Sequence, residues 1–229
     1  MIVVDGLEYE PQINGAVLVR NINNYKSKIE IPHIVDGMMV IAIGDRVFAN
    51  NENLTEIGIP MTVTDIGRFA FSDCQNLKTV HEIVCPLSTN FRGLKIQKEA
   101  FQGCRNLEEI LLSSWLQPVG ERCFQQCHKL EKIGVSGENK IYGSISEGCF
   151  QACLCLPHLT IEAPTCLIHD NAFDWCACLK KVTFRSHMVM CESEDAWDTL
   201  KMLKIRCFPN SNLVDLGYEG VDIEIMEVD

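Results

Sequence analysis

The segment IGRFAFSDCQNLKTV, residues 66–80, places a Phe, a Cys, a Leu and a Val at intervals of three residues. A cysteine in such a segment could be a nucleophile, a metal ligand, half of a disulfide or a small apolar core residue. The rest of the chain helps to decide, because the same arrangement returns five more times. The phenylalanine recurs as Phe48, Phe71, Phe101, Phe124, Phe150 and Phe173.

Several other positions recur with the phenylalanine. A small residue precedes it in every copy, one aliphatic residue lies five positions before it, and another lies nine positions after it. The sixth residue after it is always leucine: Leu54, Leu77, Leu107, Leu130, Leu156 and Leu179. Repeats of this length cannot bury their apolar side chains alone, so the pattern predicts coils of about 23 residues that stack around one continuous core.

Each coil has a predicted local structure. The alternating segment LTEIGI (54–59) favours a short strand, and stacked copies would form a parallel sheet with strands about 4.8 Å apart. Pro60 should end its strand, since it cannot donate a hydrogen bond to a neighbour. The segment AFSDC (70–74) has its small residue, Phe and Cys at helical spacing, which favours one tight helical turn. Successive repeat phenylalanines are 23 residues apart, except that Phe71 and Phe101 are 30 apart and Phe124 and Phe150 are 26 apart. These two longer intervals predict surface loops at 84–93 and 136–144.

We expect a single domain over residues 1–229. It should comprise an N-terminal β cap (1–30), six repeats (31–184) and a C-terminal cap (185–229) with a short helix and an edge strand. In the N-terminal cap, the segments LEYE and AVLVR favour strands.

The C-terminal cap has a helix signal. Ser193 can cap a helix over 194–204, whose first turn is acidic and whose last turn carries lysines. Trp197, Leu200 and Leu203 would lie on one face of that helix and close the last coil. The alternating segment VDIEIMEV (221–228) predicts a final edge strand.

The thirteen cysteines are best explained as core residues. Five follow a repeat phenylalanine by three positions: Cys74, Cys104, Cys127, Cys153 and Cys176. Parallel side chains on successive coils point alongside one another, which disfavours disulfides between them. Thiols two residues apart, as in 153–155 and 176–178, tend to point apart, which disfavours a zinc tetrahedron. Cys155 and Cys178 are predicted to be more exposed and stacked, so a reactive pair or a strained disulfide there remains an alternative.

At this point a family resemblance is evident. The segment IPMTVTDIGRFAFSDCQNLKTV (59–80) resembles the repeat of the BspA-type leucine-rich repeat family, and the similarity extends over about residues 30–184. It implies an α/β leucine-rich-repeat solenoid, mainly of short parallel β-strands with short helical turns, capped at both ends. The family is common in bacterial surface proteins, so the resemblance also implies surface adhesion or host-protein binding. The chain departs from the family pattern at Gln97, Ser146 and His169, where the pattern has Gly.

Composition narrows the function classes. The net charge is −11, which argues against nucleic-acid or anionic-membrane partners, because both require basic patches. No run of about 18 apolar residues is present, which argues against membrane insertion. The first residues lack the features of a signal peptide, so the protein is cytoplasmic if Met1 is the native start, and surface-located or secreted if the resemblance guides the assignment.

The sequence offers no catalytic constellation. The serine-hydrolase, zinc-protease, P-loop and dinucleotide-binding motifs do not occur, so we predict no enzyme, no catalytic residues, no cofactor and no metal. A binding surface is more plausible on the exposed strand positions of a concave sheet. By register these are Glu56, Thr79, His81, Glu109, Leu111, Lys132, His158, Thr160, Lys181 and Thr183.

These side chains suit a protein or peptide ligand, although the alternative of a merely solvated face remains open. Trp115 is a candidate loop anchor, and Trp175 is expected to pack on the turn side. We therefore predict a monomeric, non-catalytic protein-interaction module. The alternative is a cytosolic adaptor or a secreted effector with an intracellular protein partner.

Overall fold

The fold is a β-solenoid of about seven turns with almost no helix. It is seen in a computed structural model that describes residues 1–22, 25–84, 93–112, 116–134, 137–201, 203–207, 211–212 and 222–225. The predicted stacking of coils around one core is confirmed. The predicted loop at 84–93 falls almost entirely outside the described residues.

The chain begins with three antiparallel strands, β1 (Ile2–Val4), β2 (Leu7–Gln12) and β3 (Gly15–Asn21). The later elements are β4 (Lys28–Glu30), β5 (Ile34–Val35), β6 (Met38–Ile43), β7 (Glu56–Pro60), β8 (Asp65–Ile66), β9 (Thr79–Ile83), β10 (Leu94–Ile96), β11 (Glu109–Leu111), β12 (Leu116–Val119), β13 (Lys132–Gly134), β14 (Lys140–Tyr142), β15 (His158–Glu162), β16 (Thr165–Ile168), β17 (Lys181–Arg185), β18 (Met188–Cys191), α1 (Glu194–Lys201), β19 (Lys204–Cys207) and β20 (Asp222–Ile225).

The strands form two sides of the solenoid. One side, the front face, consists of the parallel sheet β4-β7-β9-β11-β13, followed along the chain by the parallel sheet β14-β15-β17-β19-β20. The other side begins with the N-terminal hairpins and continues as β3-β6-β8-β10-β12, with β16 and β18 paired further on. The strands predicted for LEYE and AVLVR are therefore present, and β3 pairs directly with β6 of the first coil, while their role as a cap stays a prediction.

The corner that carries each phenylalanine is a chain of tight turns, so the predicted helical turn is wrong. The residues two before and two after each phenylalanine have positive φ angles, which a right-handed helix cannot contain. Ser72 N–H donates to the Phe69 carbonyl at 3.1 Å, while Phe71 N–H donates to Ala100 of the next coil at 2.7 Å. The left-handed residues are Arg46, Asn50, Phe69, Asp73, Glu99, Gly103, Arg122, Gln126, Gly148, Ala152, Asn171 and Trp175.

The phenylalanines form a continuous stack through the core. Five successive pairs are near parallel, with ring centroids 4.9–6.0 Å apart. Each inner ring therefore contacts the rings of both neighbouring coils. This contact is the physical reason why a phenylalanine occupies the same position in every repeat.

The cysteines beneath the rings form a second ladder. The thiol of Cys74 donates to the Phe48 carbonyl at 3.0 Å, and the thiol of Cys104 donates to the Phe71 carbonyl at 3.0 Å. Cys127, Cys153 and Cys176 repeat this contact with the preceding phenylalanine carbonyl. The interpretation of these residues as core residues fits this geometry, because each thiol is a small filler that also satisfies a buried acceptor.

The front face is interrupted in the fifth coil. There β13 pairs with β11 of the preceding coil, whereas β14 pairs with β15 of the following one. Residues 140–142 are thus a strand, within a segment predicted to be a loop. Asn139, 2% exposed, joins the two sheets. Its side chain accepts from Ile133 N–H at 2.8 Å and donates to the Glu131 carbonyl at 2.9 Å, and its own carbonyl accepts from Thr160 N–H of β15 at 2.7 Å.

The seventh coil lacks the phenylalanine. The position 23 residues after Phe173 is Ala196, and α1 replaces the tight turns there. As predicted, Ser193 caps this helix, because its Oγ accepts from Ala196 N–H at 3.3 Å. The structure does not describe the side chains of Trp197 and Leu200, so it stays a prediction that they close the last coil.

Candidate functional site

The ten residues predicted to bind a ligand all lie on the front face, but in two groups. The sheet break at Asn139 separates them. The first group comprises Glu56, Thr79, His81, Glu109, Leu111 and Lys132. The second comprises His158, Thr160, Lys181 and Thr183. Lys132 and His158 are exposed, the other eight are half-buried, and buried aliphatic residues alternate with them along each strand.

In the first group, register aligns the side chains in rows across the coils. One row contains Lys28, Glu56, Thr79, Glu109 and Lys132, in that order. Lys28 Nζ lies 2.5 Å from Glu56 Oε2, and Lys132 Nζ lies 2.5 Å from Glu109 Oε1. The strand register therefore brings together a row of five residues on five neighbouring strands, with a lysine at each end, two glutamates inside them and Thr79 at the centre.

These ion pairs shift the pKa values of two of the charged groups. The hydrogen bond from Lys28 lowers the pKa of Glu56, and His81 Nδ1, 3.7 Å from Glu56 Oε1, adds to the effect. The hydrogen bond to Glu109 likewise raises the pKa of Lys132. Both shifts favour the charged forms of Glu56 and Lys132, so the row can present both signs to a partner.

The second group lies in a more cationic setting. His158 and Lys181 align with Lys204 of β19, and Glu224 Oε2 lies 3.7 Å from the ammonium groups of both lysines. Sequence reasoning missed Lys204, because a search anchored on phenylalanine ends at Phe173. The signal was present nonetheless, since KIRC (204–207) repeats the strand pattern of residues 181–184.

Most of the cysteines in the described ranges are buried. All twelve within the described ranges are free thiols, so the alternative of a disulfide between Cys155 and Cys178 is not found. Burial raises the pKa of the Cys74 thiol from 9.0 to about 12 and that of Cys176 to about 12. The ladder thiols are therefore protonated at neutral pH and poor nucleophiles. Outside the ladder, Cys178 is exposed and Cys155 is half-buried, so the predicted reactivity of this pair stays a prediction.

Within the described residues, His, Cys, Asp and Glu side chains do not gather in threes as a metal ion would require. In the same part of the chain, no helix is both long and apolar enough to cross a bilayer.

The two tryptophans singled out from the sequence differ in outcome. Trp115 lies outside the described residues. Trp175 was expected to pack on the turn side, but 79% of its surface is exposed. Its φ of 60° turns the backbone into the left-handed region at the corner of the sixth coil. There it borders an open groove beside α1.

Comparison with known proteins agrees with this architecture. The model of the BspA type leucine-rich repeat region matches in six copies, over residues 41–141 and 87–194. The chain belongs to this family, as the sequence resemblance predicted.

Several solved structures are similar to this chain, and the first of them shows the same fold. A leucine-rich repeat protein of T. pallidum is 18% identical, with a TM-score of 0.61 over 99% of each chain. A leucine-rich cell surface protein of Faecalibacterium prausnitzii is 21% identical, with a TM-score of 0.45 over 90% of this chain and 76% of that chain. A leucine-rich repeat protein of Bacteroides capillosus is 24% identical, with a TM-score of 0.47 over 58% of this chain and 96% of that chain.

Proposed function

We propose that this protein is a non-catalytic interaction module that binds another protein or peptide through its front face. The observation that supports this is the in-register row of Lys28, Glu56, Thr79, Glu109 and Lys132. A buried scaffold holds these accessible side chains about 4.8 Å apart, so a partner meets a preorganised charge pattern and little backbone is left to order. Leucine-rich repeat proteins are typically non-catalytic binding scaffolds.

Charge fits a protein partner. Rows of mixed sign would repel a polyanion at some positions and attract it at others, whereas a folded protein can match both signs. The family resemblance suggests adhesion at a cell surface or binding of a host protein as the biological use. We propose that the binding unit is a monomer, which sedimentation would check.

A matched pair of triple variants tests the front face. Replacement of Glu56, Glu109 and Lys132 by alanine removes two acids and one base from one row. Replacement of Glu121, Glu147 and Lys98 by alanine removes the same residue types from the phenylalanine corner, where Lys98 Nζ lies 2.7 Å from Glu121 Oε2. Net charge and the number of acid and base side chains removed are therefore the same in both variants.

The measurement is capture of partner proteins from an extract of the native organism or its host, by immobilised wild-type and variant chains. We expect the front-face variant to lose the proteins that the wild type and the corner variant both retain. Equal retention by the two variants would contradict binding through this face. Circular dichroism and thermal unfolding of each variant would exclude loss of the fold as the cause.

A further inference from the structure

Trp175 occupies a turn position whose left-handed backbone conformation disfavours a large aromatic residue. The corresponding turn residues of the five earlier coils are Asn50, Asp73, Gly103, Gln126 and Ala152, all with positive φ. Asn, Asp and Gly tolerate this conformation, but a bulky aromatic residue disfavours it. The 79% exposure of Trp175 means that burial does not compensate for this cost.

An open groove adjoins this side chain. It has a volume of about 630 Å³ and lies between the corner of the sixth coil and α1. Trp175, Leu154 and Leu203 contribute apolar surface, while Asp174 and Asp198 contribute carboxylates. Leu154 is itself 37% exposed, so the two large apolar side chains form one accessible patch.

Acidic side chains border the groove. Besides Asp174 and Asp198, the exposed Glu194 and Asp195 occupy the first turn of α1. An indole ring binds an ammonium or guanidinium group over its face, and nearby carboxylates strengthen such binding. We propose that this groove docks a segment of another protein in which lysine or arginine alternates with large apolar residues.

Charge also argues against two other occupants. The last residues of this chain, 213–229, contain six acidic residues and neither lysine nor arginine, so they would be repelled from the groove. A second copy of the chain carries a net charge of −11 and is disfavoured for the same reason. The groove lies on the corner beside α1 and not on the front face, so this site is separate from the one in the proposed function.

The probe is a fluorescein-labelled octapeptide of alternating leucine and arginine, with binding followed by fluorescence anisotropy. We expect it to bind the wild type, and Trp175→Ala to weaken binding about tenfold, as loss of a tryptophan anchor does. The control is Tyr25→Ala, because Tyr25 is an aromatic residue 75% exposed at the opposite end of the chain. Asp174→Asn combined with Asp198→Asn should weaken binding and reduce its dependence on salt.

Two further peptides distinguish binding in the groove from nonspecific electrostatic binding to an acidic protein. One replaces leucine by serine, and the other replaces arginine by glutamate; both should bind at least about tenfold more weakly. Equal binding by wild type and Trp175→Ala, or equal binding of the serine and leucine peptides, would overturn the proposal. The triple variant at Glu56, Glu109 and Lys132 should bind the leucine–arginine peptide normally, so failure here is distinguishable from failure of the front-face proposal.

Discussion

The phenylalanine and the thiol of each coil act together at the residue scale. Phe101 stacks on Phe71 at 4.9 Å and on Phe124 at 5.7 Å, and all three rings are fully buried. The thiol of Cys104 donates to the Phe71 carbonyl, so ring stacking and hydrogen bonding fix the same spacing between coils. The first coil has no preceding phenylalanine carbonyl to satisfy. There Asn51 takes the position of the thiol and accepts from Leu54 N–H at 3.1 Å.

Phe101→Ala should lower the free energy of unfolding by about 3–5 kcal/mol, because it leaves a cavity between two rings. Urea denaturation of the variant and the wild type measures this difference. Tyr25→Ala serves as the control, since Tyr25 is largely exposed. A loss below about 1 kcal/mol for Phe101→Ala would contradict the shared stack.

Cys104→Ala should be mild and Cys104→Asp severe. The alanine variant loses one weak hydrogen bond, but the Phe71 carbonyl still accepts from Cys74 N–H at 3.1 Å. The aspartate variant buries a charge with no cation beside it, which costs several kcal/mol or forces protonation. Thermal unfolding compares the two, and similar midpoints would show that Cys104 is not in a dry core.

Alkaline pH should destabilise the protein through its buried thiols. Burial raises the pKa of Cys74 from 9.0 to about 12, so in this range the folded thiol keeps its proton while the unfolded thiol loses it. The stabilising effect is complete below pH 9.0 and is lost as the pH rises towards 12. Cys74→Ala should therefore have a shallower decline in unfolding free energy over this window, by up to about 1.4 kcal/mol per pH unit. Identical slopes for the variant and the wild type would contradict this explanation.

At the scale of the element, the corner turn depends on close approach of neighbouring backbones. A Cβ atom at Gly120 would lie 2.5 Å from Lys98 N and 2.6 Å from Gln97 C. In the preceding coil the same position holds Gln97, whose side chain turns away and donates to Asp65 Oδ1 at 2.7 Å. The repeat pattern thus requires glycine in some coils and accepts larger residues in others.

Gly120→Ala should cost about 1–3 kcal/mol by overpacking, because the clash is with backbone atoms that cannot rotate away. Gln97→Ala is the matched control, since it places the same residue in a coil that already accommodates a Cβ atom. It should cost about 1 kcal/mol or less, from loss of one half-exposed hydrogen bond. Equal destabilisation of the two variants in urea would contradict this account of the turn.

At the scale of the whole molecule, stability passes from coil to coil through nearest-neighbour contacts. The hydrogen-bonded strand ladder of the front face is interrupted at Asn139, where one sheet ends and the other begins. Its side chain bonds to the fifth coil, and its carbonyl accepts from Thr160 N–H at 2.7 Å in the sixth. The side chain and the backbone carbonyl of Asn139 together therefore connect the two groups of front-face residues.

Asn139→Ala should lower the free energy of unfolding by about 2–4 kcal/mol, because Ile133 N–H and the Glu131 carbonyl lose their partners in a buried site. It should also separate the two halves, so that hydrogen exchange becomes faster in β14 and β15 than in β7 and β9. Asn171→Ala is the control, since Asn171 shares the left-handed backbone, with φ of 56° against 52°, but has an exposed side chain. Uniform exchange across both halves of the Asn139 variant would contradict a weak junction.

The sequence by itself determined which side chains are buried and that the chain is a leucine-rich repeat solenoid. Burial follows from the periodicity of Phe, Cys and Leu, which is a local property that any stack of coils must satisfy. The front-face residues were found for the same reason, because strand alternation sets which side chains are accessible.

Only the tertiary structure decided the turn conformation, the junction at Asn139, the seventh coil and the groove at Trp175. The helical spacing of AFSDC (70–74) describes which residues are buried but not where the backbone N–H groups donate. In the folded protein two of these five N–H groups, those of Phe71 and Asp73, donate to carbonyls of the next coil, and the left-handed residues make this geometry accessible. Hydrogen bonds between coils depend on a neighbour that is distant in sequence, so a pattern within one repeat cannot specify them.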